Sequence, residues 1–415
     1  MRVLIVAGNI SARMGGEAVI PLHYIRELTN LGVEVHALTH ARVRNELKAH
    51  PVWRQDRLHF IEDSGSEKAI HAAGKRAPGA LRETLFLSGV GLVTQFRLAR
   101  AARTLAPRIG ADVIHQPIPV SPAFPSFLSG MPAPVVIGPM NGGMDYPPAF
   151  AKAYSQGSGA VVGAARFLAG AANQLAPGKR QAAALLVANA RTRHALPPGV
   201  DNGRTIEIAE NGVDLEFWDR PPQTKPSAPV FVFVGRLVWW KAVELLLEAM
   251  ERVPDAALRI IGDGPERARL EAQASSGAAA GRIAFEGFRP QAEICEALTA
   301  ATALVLPSMR ECGGAVILEA FACRTPAIAT DWGGPQDYVT PESGVLIAPT
   351  GREAFVEGLA SALRRLAADP GLASRMGHAG RLRVESAFTW TAKARRMTAI
   401  FEEAKSNWSR NSIPR

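Results

Sequence analysis

The chain has 415 residues, 20% charged and 47% apolar, which excludes a disordered protein and leaves room for two domains of about 200 residues, each with its own core. No apolar run reaches the ~18 residues of a membrane-spanning helix. The three cysteines, Cys295, Cys312 and Cys323, form neither a CxxC pair nor a disulfide framework, which fits a reducing, cytoplasmic compartment.

The net charge of +9 is uneven: residues 1–220 hold 24 Lys+Arg against 17 Asp+Glu, and Ser64–Arg108 alone holds eight against two. Such a local field calls for an anionic partner.

The opening "MRVLIVAG" is too short for a signal peptide and lacks a cleavage site; it reads as a buried strand over Val3–Ala7. Short apolar runs then alternate with longer helix-like segments, the pattern of a parallel sheet with crossover helices. The first half predicts strands at Val33–Leu38, Asp112–His115, Val135–Gly138, Leu185–Ala188 and Thr205–Ile208. The second predicts Val230–Val234, Leu258–Ile261, Ile283–Glu286, Ala303–Leu306, Ala327–Thr330 and Gly344–Ile347, with helices such as Val243–Arg252 and Glu266–Ala274. Two doubly wound α/β domains follow, residues 1–215 and 216–385, with a junction near the proline-rich Arg220–Pro229. Trp390, Ala394, Met397 and Phe401 mark one face of a last helix within 386–415, with Thr389 or Thr391 as N-cap. That helix caps its own domain or crosses back to the first.

Six stretches carry candidate chemistry. After the first strand, Gly15 and Gly16 in "RMGGEAV" open a helix and let a ligand approach the backbone, or make a plain tight turn; GxGxxG is absent. The basic stretch interleaves Leu85, Phe86, Leu92, Val93 and Phe96 with Arg82, Arg97, Arg100 and Arg103, as in an interfacial helix pair on anionic lipid or a core helix with a solvated basic face. His115 in "DVIHQP" ends a strand, where it meets a substrate hydroxyl or is a satisfied core residue. "VIGPMNGGMDYPP" ends another strand in a glycine-rich loop, Gly138–Gly143, with Asn141 as its polar candidate. In "VFVFVGRLVWWK" a strand ends at Gly235, Arg236 follows, and a helix is expected to open at Lys241: two cations for a phosphate, or two ordinary surface cations. In "RECGGAVILEAFACR" the carboxylates Glu311 and Glu319 are eight residues apart, about 80° and 12 Å on one helix, too far for a carboxylate pair. Glu311 therefore belongs to a loop, Gly313 and Gly314 precede a helix start whose free amides attract an anion, and Glu319 points inward toward ligand hydroxyls; the alternative is a capping loop with a structural glutamate paired to an arginine. No zinc spacing, DxD metal motif or Ser-His-Asp order is present, and no nucleic-acid motif supports the basic charge.

Together "MGGEAVIPLHYIREL", "DVIHQP", "AENGVDLEFW", "GRLVWWK", "RIIGDGPERARL", "IAFEGF", "LVLPSMRECGGAVILEAFACRTPAIATDWGGPQDYV" and "SGVLIAP" resemble retaining glycosyltransferase family 4 along almost the whole chain. The resemblance implies a GT-B fold, two Rossmann-like domains facing a central cleft, the first for the acceptor and the second for the nucleotide sugar. It implies that a sugar moves from a UDP- or GDP-linked donor to a glycan or polyprenyl-diphosphate-linked acceptor, in bacterial surface or exopolysaccharide biosynthesis. Arg236 and Lys241 would take the donor diphosphate, Glu319 the ribose, and Glu311 with the backbone of Gly313, Gly314 and Val316 the donor sugar. His115 would face sugar and acceptor, Asn141 stands on the acceptor side, and Gly15 and Gly16 approach the diphosphate. Such enzymes use no cofactor and no metal, and the basic stretch at 64–108 would make this one peripheral at the inner membrane face. The sequence departs from the family at Ala242, Trp239, Trp240 and "ECGG". A sugar-nucleotide epimerase or a phosphorylase of the same fold would need an acid/base set or a cofactor lysine; a non-catalytic binding module would have no use for all four charged candidates of the second domain.

Overall fold

The computed structural model describes residues 1–14, 16–74, 87–154, 169–201, 203–220 and 228–411. The chain forms two α/β units: Met1–Gly143, Gly159–Glu210 and Trp390–Arg415 make the first, and Met144–Ser158 with Asn211–Thr389 the second.

The first unit is built on seven parallel strands, β1 (Arg2–Val6), β2 (Glu34–His40), β3 (Leu58–Ile61), β4 (Val113–Gln116), β5 (Val135–Met140), β6 (Ala184–Val187) and β7 (Thr205–Glu207), in the order β3-β2-β1-β4-β5-β6-β7. The second has six parallel strands, β8 (Val230–Val234), β9 (Ala257–Ile261), β10 (Ile283–Gly287), β11 (Ala303–Leu306), β12 (Ala327–Thr330) and β13 (Gly344–Ile347), in the order β10-β9-β8-β11-β12-β13. Central strands such as β1, β4 and β11 are buried along nearly their whole length. Helices cover both sheet faces, so such strands appear as unbroken apolar runs. The expected strands match within one or two residues. β3 is an addition: only its two ends are buried, and as an edge strand its identity comes from its pairing with β2.

The final helix, Trp390–Asn411, belongs to the core of the first unit. Trp390, Ala394, Met397, Ile400, Phe401 and Ala404 pack with residues of β1, β2 and the helix Ile20–Asn30. Thr391 lies inside the first turn, and its hydroxyl donates to Glu27 Oε2 at 2.9 Å, so it is not the cap. A second correction concerns Lys241, which closes a 3-10 turn, Trp239–Lys241; the following α-helix starts at Val243.

Phe401→Ala should cost about 3–5 kcal/mol, through lost burial and the cavity left behind, whereas exposed Arg395→Ala on the opposite face should stay within about 0.5 kcal/mol. Thermal denaturation of the two variants checks this.

Candidate active site

In the second unit the winding direction reverses between β8 and β11, so the chain leaving these neighbours turns to opposite sides of the sheet. The crevice left there, at the carboxyl ends of the strands, is where open α/β sheets hold ligands. β8 delivers Gly235 and Arg236. Their backbone is held by the loop after β9: Gly235 N–H donates to Ile261 O at 3.0 Å and Leu237 N–H to Asp263 O at 2.9 Å. A Cβ at Gly262 would lie 2.0 Å from Gly235 O, and one at Gly264 2.2 Å from Leu237 O. "GDG" is thus required for the contact that fixes Arg236, whose side chain is exposed and has no partner among the described residues.

β11 delivers the loop to Gly314, which caps the helix Ala315–Ala322 with φ +77°. Glu311 sits in this loop and forms an ion pair with Lys241, both side chains about 15% exposed; Ser308 Oγ adds a 3.3 Å bond to Glu311 Oε2. A second glycine pair clamps the loop from outside. Gly334 N–H donates to Glu311 O at 2.7 Å, and a Cβ at Gly334 would lie 2.4 Å from the carbonyls of Cys312 and Gly313. Val316 is half-buried in the first turn. One turn on, the Glu319 carboxyl keeps a little surface but is densely surrounded; desolvation first, and the neighbouring Cys295 sulfur second, push its pKa up to about 7. It has no hydrogen bond or ion pair among the described residues.

A segment from the first half of the sequence completes this region. Met144 packs on Gly333, Trp332 Nε1 donates to Asp145 O at 2.8 Å, Arg310 lies 5.7 Å from the Tyr146 ring, and Trp239 Nε1 donates to Tyr154 O at 3.1 Å. The glycines of "GDG" and "WGG" are legible as turn signals; nothing in the sequence announces the partners of Met144–Tyr154.

The candidates of the first unit fare differently. Gly15 lies outside the described residues; Gly16, at φ +54°, is exposed with open space around it. His115 is a correction. β4 continues through Gln116, and the His115 side chain faces the final helix, fully buried, between Tyr24 at 5.0 Å and Phe401 at 5.2 Å. Its Nε2–H donates to Gly138 O at 2.8 Å, and burial lowers its pKa to about 4 with help from the Lys393 charge, so it is neutral and turned away from solvent. Asn141 is likewise interior: Nδ2 donates to Glu210 Oε2 at 2.6 Å and Oδ1 accepts from Thr192 at 3.4 Å. Neither residue is placed to meet a substrate here.

The basic stretch lies partly outside the described residues, Leu85 and Phe86 included. Arg97 pairs with buried Glu67 and is structural. On the helix Leu87–Ile109, Phe96 (56% exposed), Arg100 and Arg103 recur on one outward face. Among the described residues His40, Asp63 and Glu67 have metal-ligand spacing. They fit a metal poorly: His40 Nδ1 accepts from Arg42 N–H at 3.1 Å, which leaves the proton on Nε2, and Arg97 already neutralises Glu67.

Residues 214–383 match the family model for glycosyl transferases group 1. Alpha-maltose-1-phosphate synthase of Mycolicibacterium smegmatis is 32% identical over 228 residues, 50% of this chain and 58% of that protein. Glycogen synthase of Mycobacterium tuberculosis is 33% identical over 208 residues, 48% and 49%. The chain thus spans about half the length of the curated relatives it matches. Among solved structures, sucrose-phosphate synthase from Thermosynechococcus elongatus superimposes with a TM-score of 0.69 at 22% identity, covering 98% of this chain and 100% of that one. Anabaena HepE in complex with UDP gives 0.66 at 17%, covering 97% and 100%. The architecture is the GT-B fold. Within it, the likeness to group 1 glycosyl transferases falls on the second unit.

The raised Glu319 pKa makes a signed prediction. Folding is unpenalised while both folded and unfolded carboxyls are protonated, below about pH 4.5, and stability is lost as pH rises to about 7, where the folded group must ionise. Glu319→Gln should therefore match the wild type near pH 4.5 and exceed it by about 3 kcal/mol at pH 8; thermal melts at both values test this, and a pH-independent difference contradicts it.

Proposed function

We propose that the chain is a retaining glycosyltransferase that takes a sugar from a UDP- or GDP-linked donor. The observation that carries this reading is the charge arrangement at the β8/β11 crevice. Among the described residues it holds a cation without a partner, Arg236, a cation and carboxylate paired with each other, Lys241 and Glu311, and a carboxylate without a partner, Glu319. A nucleotide diphosphate sugar supplies a partner for each. Lys241 moves to the phosphates beside Arg236, and Glu311 is released to the sugar hydroxyls. The desolvated charges exchange partners and none is left alone. The helix start at Ala315, with the amides of Gly313–Val316, adds positive potential for the phosphates. Glu319 accepts from the ribose hydroxyls, and Phe288, 84% exposed after β10, offers a flat face to the base.

The reaction needs charge stabilisation as the glycosidic bond breaks and the diphosphate departs. Arg236 and Lys241, held on the phosphates once the donor is bound, provide it with little solvent reorganisation, and no metal is required. Retention follows when the acceptor attacks the face the diphosphate leaves. The acceptor is a glycan or a lipid-linked glycan, in line with relatives such as the GDP-mannose-dependent phosphatidylinositol monomannoside mannosyltransferase of Corynebacterium glutamicum, 30% identical over 220 residues. We place it in surface or exopolysaccharide biosynthesis.

UDP, GDP, ADP and dTDP should separate in a thermal-shift panel, since a ligand at 100 times its Kd adds about 2.7 kcal/mol. Arg236→Ala or Lys241→Ala should lower turnover by roughly 10²–10³-fold. Full activity in the double variant, or no shift with any nucleotide, contradicts the reading.

The face with Phe96, Arg100 and Arg103 supports peripheral binding to an anionic membrane surface; no helix among the described residues is long and apolar enough to cross one. Arg100→Glu with Arg103→Glu should abolish binding to phosphatidylglycerol vesicles while Arg97 is left in place for its structural ion pair. Equal co-sedimentation of wild type and variant rules this out.

A further inference from the structure

The first sheet also reverses direction, between β1 and β4, and this second crevice is not explained by a donor site in the other unit. The loop after β1 is anchored where Glu46 accepts from Ala12 N–H, Arg13 N–H and the Ser11 hydroxyl at 2.6–3.1 Å. Both oxygens of that carboxylate are engaged. Glu17, a few residues on, differs. One of its oxygens, Oε2, accepts from Val120 N–H at 2.8 Å, in the loop after β4. Val120 O in turn accepts from Asn141 N–H at 2.8 Å, in the loop after β5. Glu17 thus hangs from a backbone chain joining three rim loops at the switch point. Its Oε1 has no partner among the described residues. No cation among the described residues pairs with it, and burial raises its pKa. A carboxylate has about four acceptor positions, and a held but unsaturated one at a crevice calls for neutral O–H donors.

We infer that Glu17 binds the acceptor, its free oxygen accepting a hydrogen bond from a hydroxyl of the acceptor sugar. The inference rests on the proposed glycosyltransferase reading and deepens it on the acceptor side. Sequence reasoning passed over this residue in favour of the glycines before it. The expected role is binding and orientation of the hydroxyl, with the Val120 amide and the Glu46 anchor holding the carboxylate in place.

Glu17→Gln separates this from a bracing role, because the amide oxygen still accepts from Val120 N–H while the anionic acceptor is lost. Binding of methyl α-D-glucoside, methyl α-D-mannoside and methyl α-D-galactoside to the full chain is measured by saturation-transfer NMR with UDP present. UDP affinity is measured separately by calorimetry. The wild type should bind at least one glycoside, and Glu17→Gln should weaken that Kd by about tenfold or more, with UDP affinity unchanged and a melting temperature no lower than that of the wild type. Equal glycoside affinity in both proteins overturns the inference, as does a wild type that binds none of the three. If Glu17→Ala melts lower while glycoside binding survives, the residue only braces the loop, and the inference falls. Failure of the wild type to bind any nucleotide sinks the donor-site reading instead, and the glycoside arm still decides Glu17.

Discussion

The arrangement depends on a single constraint of parallel sheets: where the winding direction reverses, neighbouring strands send their loops apart, and an uncovered crevice remains at their carboxyl ends. In the second unit that place is fixed by β8 and β11. Backbone must come very close to backbone to make the crevice rigid, and glycine alone permits it. Gly262 and Gly264 lie against Gly235 and Leu237 on one side, and Gly334 lies against Cys312 and Gly313 on the other. The side chains that follow these contacts, Arg236 and Glu311, inherit their positions from them.

The electrostatics follow from that rigidity. Charges in a partly desolvated crevice are costly unless matched. Lys241 is matched with Glu311, and Glu319 has no match among the described residues, so the burden falls on a carboxyl whose pKa rises to about 7. A ligand carrying both phosphates and hydroxyls would offset this cost. The same logic, weaker in charge, operates at the reversal in the first unit, where Glu46 is satisfied by the backbone and Glu17 only half so.

Much of the frame was legible because its signals are local. Six apolar runs announce β8–β13, and the step from Glu311 through Gly313–Gly314 to an apolar helix is visible within ten residues. What stayed hidden was non-local. The Lys241–Glu311 pair joins positions 70 apart. Met144–Tyr154 packs in the unit opposite to most of its sequence neighbours because Phe150 and Tyr154 find their apolar partners there. His115 was placed at a strand end, but the strand runs one residue further and the final helix covers it, so a polar residue becomes a neutral core member. β3 needed β2 to be recognised at all.

A structure of the full chain with a bound nucleotide diphosphate tests the central claim most directly. The account predicts both phosphorus atoms against the amides of Gly313–Val316, Arg236 and Lys241 in contact with phosphate oxygens, and Glu319 on the ribose. A diphosphate seated elsewhere, with the Lys241–Glu311 pair intact and Glu319 still without a partner, would contradict it.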